Sequence, residues 1–144
     1  MIGLGCDHGG YKLKEEIKKH LEERKIEYRD FGAYDETSID YPIIAKQVAQ
    51  SVANGECSLA ILCCGTGIGM SLVANKIKGV RAAACSETFS AEFTRRHNNS
   101  NILCLGGRVI GPGVALQMVD LFLDTEFEGG RHQKRVDMIL ELEK

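Results

Sequence analysis

The 144-residue chain predicts a three-layer α/β sandwich in which a five-stranded parallel sheet is doubly wound, with helices on both faces. Three observations lead there. Short apolar runs of strand length alternate with longer segments of helical periodicity along the whole chain. Glycine-rich turns follow several of the apolar runs, where a strand would hand over to a helix. The length suits one domain, 1–144, and no repeat, low-complexity tract or linker divides it.

Met1 to Cys6 reads as the first strand, closed by Asp7-His8-Gly9-Gly10. Leu13, Ile17, Leu21 and Arg24 then recur at helical spacing, with lysines and glutamates between them. Ile26 to Phe31 alternates as a second strand, and the loop from Gly32 to Asp40 is polar. Pro42 suits the first turn of a helix lined by Ile44, Val48 and Val52 and ended by Gly55. Leu59 to Cys64 is the third strand; Gly65, Gly67 and Gly69 break it, and a short apolar helix follows. Val80 to Cys85 is the fourth strand, with Ser86 expected to cap a helix running through Arg96. Ile102 to Leu105 is the fifth, followed by Gly106-Gly107-Arg108. Val114, Met118, Leu121 and Phe122 mark another helix. After Glu128-Gly129-Gly130 a last helix, about 131–143, carries Val136, Ile139 and Leu140. Strands that alternate with helices pair in parallel, and analogy with other Rossmann- and flavodoxin-like sheets sets the expected order at 2-1-3-4-5.

Composition narrows the function classes. Twenty acidic residues nearly balance eighteen basic ones, so no global field points to nucleic acid. No apolar run approaches the ~20 residues of a membrane span, and strand-like sequence begins at Ile2 where a signal peptide would lie. A cytoplasmic protein without nucleic-acid or membrane partners is expected. The six cysteines (Cys6, Cys57, Cys63, Cys64, Cys85 and Cys104) lack Cys-x-x-Cys spacing and are read as free thiols, with no metal site.

The chemistry concentrates between Leu59 and Asn75. A buried strand that feeds a glycine-rich turn and a helix N-terminus gathers backbone N–H groups into a nest for an anion or a developing oxyanion. Cys64 ends that strand and Thr66 follows two residues on, so a thiol and a hydroxyl share its mouth. Strand alternation sends the neighbouring Cys63 to the opposite face, as core. In a doubly wound sheet ligands bind where the strand order reverses, which brings Asp7 and His8 after strand 1 into the crevice of Cys64. Each residue also has a plainer reading. Cys64 could be a small buried hydrophobe, Asp7 a helix cap, and His97 a cation that closes a helix. Arg131 and Arg135 share a helix face in its opening turns, against the dipole, which suits either an external anion such as phosphate or pairing with Glu126 and Glu128.

Six collinear motifs add a resemblance. Cys6-Asp7-His8-Gly9-Gly10, Asp40-Tyr41-Pro42, Cys64-Gly65-Thr66-Gly67-Ile68-Gly69, Arg96-His97-Asn98, Gly107-Arg108-Val109 and Gly129 to Arg135 are similar to the type B ribose-5-phosphate isomerases, a family that also holds allose- and galactose-6-phosphate isomerases. The resemblance implies that Cys64 moves a proton between C2 and C1 of an open-chain sugar. It implies that Thr66 and the amides from Gly65 through Gly67 and Ile68 to Gly69 hold the enediolate oxygen. His97, with Asp7, would open the furanose ring; Arg108, Arg131, Arg135 and His8 would grip the phosphate; Asn98 and Tyr41 would contact the sugar. No cofactor is implied, and the partner is a small sugar phosphate of five or six carbons. The family also implies a homodimer, or a dimer of dimers, with the last helix packed on a partner. Its shared sites would take Cys64 and Asp7 from one chain and His97, Asn98 and Arg108 from the other. The alternative is a nucleotide-binding or regulatory module, against which stands the lack of a Gly-x-Gly-x-x-Gly fingerprint after the first strand.

Overall fold

In the computed structural model, which describes residues 1–144, β1 (Ile2–Cys6), β2 (Tyr28–Asp30), β3 (Leu59–Cys64), β4 (Ala82–Ala84) and β5 (Ile102–Gly106) form one parallel sheet. The helices are α1 (Tyr11–Glu23), α2 (Tyr41–Ala53), α3 (Ile68–Ala74), α4 (Thr88–Asn98), α5 (Pro112–Asp124) and α6 (Arg131–Glu141). The sheet separates two apolar clusters. Leu4, Cys6, Ile61, Cys63, Leu103 and Leu105 point to the face covered by α1, α4 and α5. Ala60, Leu62, Cys64, Ile102 and Cys104 point to the face covered by α2 and α3. Cys63 and Cys64 therefore part as the two-residue period of a strand requires. No helix is long and apolar enough to cross a membrane, and all six cysteines are free.

The strand order is β2-β1-β3-β5-β4, which corrects the expected 2-1-3-4-5. Burial explains the exchange. All five residues of β5 are buried, so that strand needs a neighbour on each side and a helical layer on each face. The three alanines of β4 offer little apolar surface and lie half-buried or exposed, which an edge position tolerates. The second and fourth strands are also shorter than their apolar runs predict. The N-cap of α4 is Glu87 rather than Ser86, its carboxylate accepting the Ser90 N–H at 3.0 Å.

One side chain on α1 reverses its expected place. Lys14, among the lysines that the helical pattern assigns to solvent, is fully buried. Its ammonium donates to Asp30 Oδ1 and Oδ2 at 2.7 and 2.8 Å and to the Ala33 carbonyl at 2.5 Å. A buried ammonium is tolerable only when paired and hydrogen-bonded in this way. It ties α1 to β2 and to the loop beyond it. Burial alone would raise the Asp30 carboxyl, but hydrogen bonds from Lys14 and from the Gly32 N–H outweigh it and hold Asp30 below the ordinary range.

Candidate active site

Strand order decides what meets at the carboxyl edge of the sheet. Cys6 is level with Cys63, and Cys64 with Gly106. The loops leaving these three strands are stitched together by backbone hydrogen bonds. Asp7 N–H donates to the Cys63 carbonyl at 3.2 Å, Gly107 N–H to Cys64 at 2.8 Å and Arg108 N–H to Gly65 at 3.1 Å. Gly67 carries φ +82, and a Cβ there would lie 3.0 Å from backbone atoms of Cys104 and Leu105. The turn is both left-handed and pressed against β5, which is why it takes glycine.

Inside that turn the Cys64 sulfur accepts the Gly67 N–H at 3.0 Å. A sulfur so placed, at the start of α3, is presented as an acceptor, the form in which it takes up a proton. Thr66 Oγ1 accepts the Ile68 N–H at 3.2 Å, which leaves its own hydroxyl hydrogen free to donate. The ring of Tyr41 lies against the first turn of α3, where a Cβ on Gly69 would come within 2.6 Å of it. Asp7 is buried, and its Oδ1 accepts the N–H groups of Gly9 and Gly10 at 2.8 and 3.1 Å; it closes the turn before α1 rather than capping the helix, whose N-cap is Gly10, and Oδ2 is left for another donor. His8 Nδ1 accepts the Ile39 N–H at 3.3 Å, which puts the ring proton on Nε2. His8 and Arg108 line a cavity of about 250 Å³ together with Lys12 and Glu36.

Other thiols are chemically quieter. Burial pushes Cys6 up to about 11, and Cys85 likewise to about 11. Burial also raises Cys63 and Cys104 well above the ordinary thiol value.

The remaining candidates gather elsewhere. Helix α4 leaves the carboxyl end of β4 and runs back to the start of β5, so His97 and Asn98 lie at the amino edge of the sheet. Cys64 sits at the far end of a strand that spans roughly 16 Å. Helix α6 lies along the same amino edge, where Glu128 N–H donates to the Arg96 carbonyl at 3.0 Å and Glu143 accepts the Gly79 N–H at 3.0 Å. The His97 imidazole stacks on that of His132, with centroids 4.1 Å apart and planes 10° from parallel. Glu128 Oε1 lies 3.5 Å from His132 Nε2 and 3.8 Å from His97 Nε2. Arg131 and Arg135 are exposed, and Glu128 is engaged by Arg96, His97 and His132 rather than by either of them.

Two groups of candidate residues thus occupy opposite edges of the sheet, and the comparisons with known proteins say to which family they belong. The profile of the Ribose/Galactose Isomerase family matches residues 2–139. The chain belongs to that family. It is 49% identical over 143 residues to ribose-5-phosphate isomerase B of Escherichia coli, covering 99% of this chain and 96% of the relative. The ribose-5-phosphate isomerase B structure of Clostridium thermocellum superposes with a TM-score of 0.97 at 50% identity, covering 99% of this chain and 96% of that one. A D-erythrulose-4-phosphate isomerase of Pectobacterium atrosepticum is 41% identical over 140 residues, covering 96% of this chain and 91% of the relative.

For this member of the ribose/galactose isomerase family the structure sorts the expected site residues. Asp7, His8, Tyr41, Cys64, Gly65, Thr66, Gly67, Ile68 and Gly69 lie together at the carboxyl edge. Arg108 joins them from its own chain: a Cβ on Gly65 would lie 3.3 Å from its Nη1. That corrects its assignment to the partner's half, and the cause is the strand order, since β5 beside β3 carries Arg108 to the nest. His97, Asn98, Arg131 and Arg135 form the second group. Sequence reasoning placed Glu128 only as a pairing partner of Arg131 and Arg135, and gave His132 no role of its own within its motif. The i,i+4 spacing of Glu128 and His132 beside Arg131 was the available signal, but nothing local shows that His132 turns under His97.

Proposed function

We propose that the protein is a ribose-5-phosphate isomerase, interconverting ribose 5-phosphate and ribulose 5-phosphate through an enediolate. The observation that carries this reading is the Cys64 sulfur in hydrogen bond with the Gly67 amide, beside Thr66, at the mouth of the nest. Full-length likeness to ribose-5-phosphate isomerase B supports it.

The chemistry runs in two stages. Ring opening removes the proton of the anomeric hydroxyl and gives one to the ring oxygen as the C1–O4 bond breaks, leaving an aldehyde and a C4 hydroxyl. His97 and Asp7 serve this exchange. Cys64 then takes the C2 proton as a thiolate and electron density moves onto O1; the hydroxyl proton of O2 passes to O1, the same carbon proton returns from Cys64 to C1, and O2 is left as the ketone. Thr66 and the nest amides stabilise the charge on oxygen, the largest single contribution in most such sites. Arg108, Arg131, Arg135 and His8 hold the phosphate.

This scheme needs both edges of the sheet at once, so the active unit is a two-fold homodimer in which His97, Asn98, Arg131 and Arg135 enter from the partner. The exposed apolar side chains Met138, Ile139 and Leu142 on and after α6 support a partner contact there.

Turnover of ribose 5-phosphate, allose 6-phosphate, galactose 6-phosphate and erythrulose 4-phosphate side by side tests the reading. The five-carbon substrate should have the highest kcat/KM, and Cys64→Ala should abolish isomerisation while phosphate-dependent binding survives. Full activity in Cys64→Ala would refute the assignment of the base.

A further inference from the structure

Outside the groups that touch the sugar, the most unusual arrangement in the molecule is the pair of stacked histidines at the amino edge. The two rings differ in access. The side chain of His97 is 38% exposed, while that of His132 is only 9% exposed and lies beneath it. His97 is held from two directions, by the face of His132 at 4.1 Å and by an edge-to-face contact with Phe93 at 5.0 Å and 78°. Glu128 stands beside both imidazoles, and its backbone is bound to α4 through Arg96. The His132 imidazole is held below the ordinary histidine range, first by burial and then by the charges of His97 and Arg131.

A metal site is the obvious competing use, because the two Nε2 atoms and a Glu128 oxygen come within 4.8 Å of one another. Ring geometry argues against it. The lone pair of an imidazole lies in the ring plane, and two nearly parallel planes 4.1 Å apart have no common point at which one ion could meet both. Arg96 also stands 3.7 Å from Glu128.

We propose that His132 is a positioning residue for ring opening, a buried platform that fixes the plane of His97 and receives the imidazolium face to face whenever His97 carries a proton. The inference rests on the proposed role of His97 in opening the furanose. Whichever way the proton travels, His97 alternates between imidazole and imidazolium, and the neutral π face beneath it favours the charged form. His132 makes no contact with the sugar in this scheme, and Cys64 is indifferent to it.

The test separates ring opening from isomerisation by substrate. A tetrose 4-phosphate has its C4 oxygen esterified and cannot close to a furanose, so it needs the base but no ring opening. His132→Asn should lower kcat/KM for ribose 5-phosphate about three- to thirtyfold, the range of a cation–π contact, and leave erythrose 4-phosphate within about twofold of wild type. His132→Phe keeps an aromatic platform and should recover most of the ribose 5-phosphate activity. With ribose 5-phosphate deuterated at C2, the primary isotope effect of His132→Asn should fall below that of wild type, because ring opening has become slower than proton abstraction. Equal losses on both substrates, an isotope effect that rises, or wild-type turnover by His132→Asn would each overturn the proposal. Should His97→Asn itself lose both substrates equally, the ring-opening role of His97 fails instead, a result separable from failure of the platform.

Discussion

Mixing two damaged subunits tests the proposed division of the site between two chains. Cys64 ends β3 at one edge of the sheet, and His97 ends α4 at the other. The strands between them span roughly 16 Å, several times the reach of a hydrogen bond, so no side-chain motion within one chain joins the two. Let Cys64→Ala and His97→Ala exchange subunits at equal concentration. Random pairing makes about half the dimers mixed, and each mixed dimer holds one doubly damaged site and one intact site. Ribose 5-phosphate turnover should therefore rise to about a quarter of wild type above the residual rates of the parents. Arg108 supplies the control. Its backbone N–H is bonded to Gly65 of its own chain and its guanidinium lies over that residue. Cys64→Ala mixed with Arg108→Ala leaves one lesion in every site and should show no gain, whereas Cys64→Ala with Arg135→Ala should complement. A dead mixture of the first pair, with exchange verified by mass spectrometry of differently tagged subunits, would refute the shared site. Recovery with Arg108→Ala would refute its placement in the same half as Cys64.

Three further outcomes follow from the same geometry. Gly69→Ala should forfeit activity without forfeiting stability. Alanine is a better helix former than glycine by roughly 0.5–1 kcal/mol, yet its Cβ would displace the Tyr41 ring at 2.6 Å; an unchanged kcat/KM would show that Tyr41 does not contact the sugar. Iodoacetamide near neutral pH should label Cys64 in step with inactivation and spare the half-buried Cys85, whose thiol is pushed up to about 11; peptide mapping that found Cys85 labelled first would contradict this. Asp30→Asn should cost about 3–5 kcal/mol by urea titration, since it strands the fully buried Lys14 ammonium. Asp30 is held below the ordinary carboxylate range, so its contribution is complete above about pH 4 and is lost as the pH falls through its lowered value. The gap between wild type and Asp30→Asn should narrow on acidification, and a gap that stayed constant down to acid unfolding would show that the pair is not linked to protonation.

Much of the site was legible because it is local. Cys64, Thr66 and the glycines around them lie within six residues, and a strand, a tight turn and a helix N-terminus form from short-range preferences. Asp7 and His8 followed from topology alone, since the strand order reverses between β1 and β3 whether β4 or β5 comes next. Lys14 was misjudged for a physical reason. Its place in the helical repeat says which way the side chain leaves α1, but Asp30 and the Ala33 carbonyl arrive from elements 16 and 19 residues away. His132 was missed for the same reason, because its stack on His97 depends on where α6 comes to rest.

The amino-acid sequence by itself determined which segments are strands and helices, that the strands run parallel, and that Cys63 and Cys64 face opposite layers. Each of these is a statement about periodicity along the chain, and periodicity is set by which side of a segment must leave water. Only the tertiary structure decided that β5 lies beside β3 with β4 at the edge, that Arg108 therefore serves the nest of its own chain, and that His97 stands at the opposite edge on a buried histidine. Those are choices among neighbours. They depend on how much apolar surface each strand must cover and on which polar groups can be paired when distant segments meet, and no single stretch of sequence contains both partners.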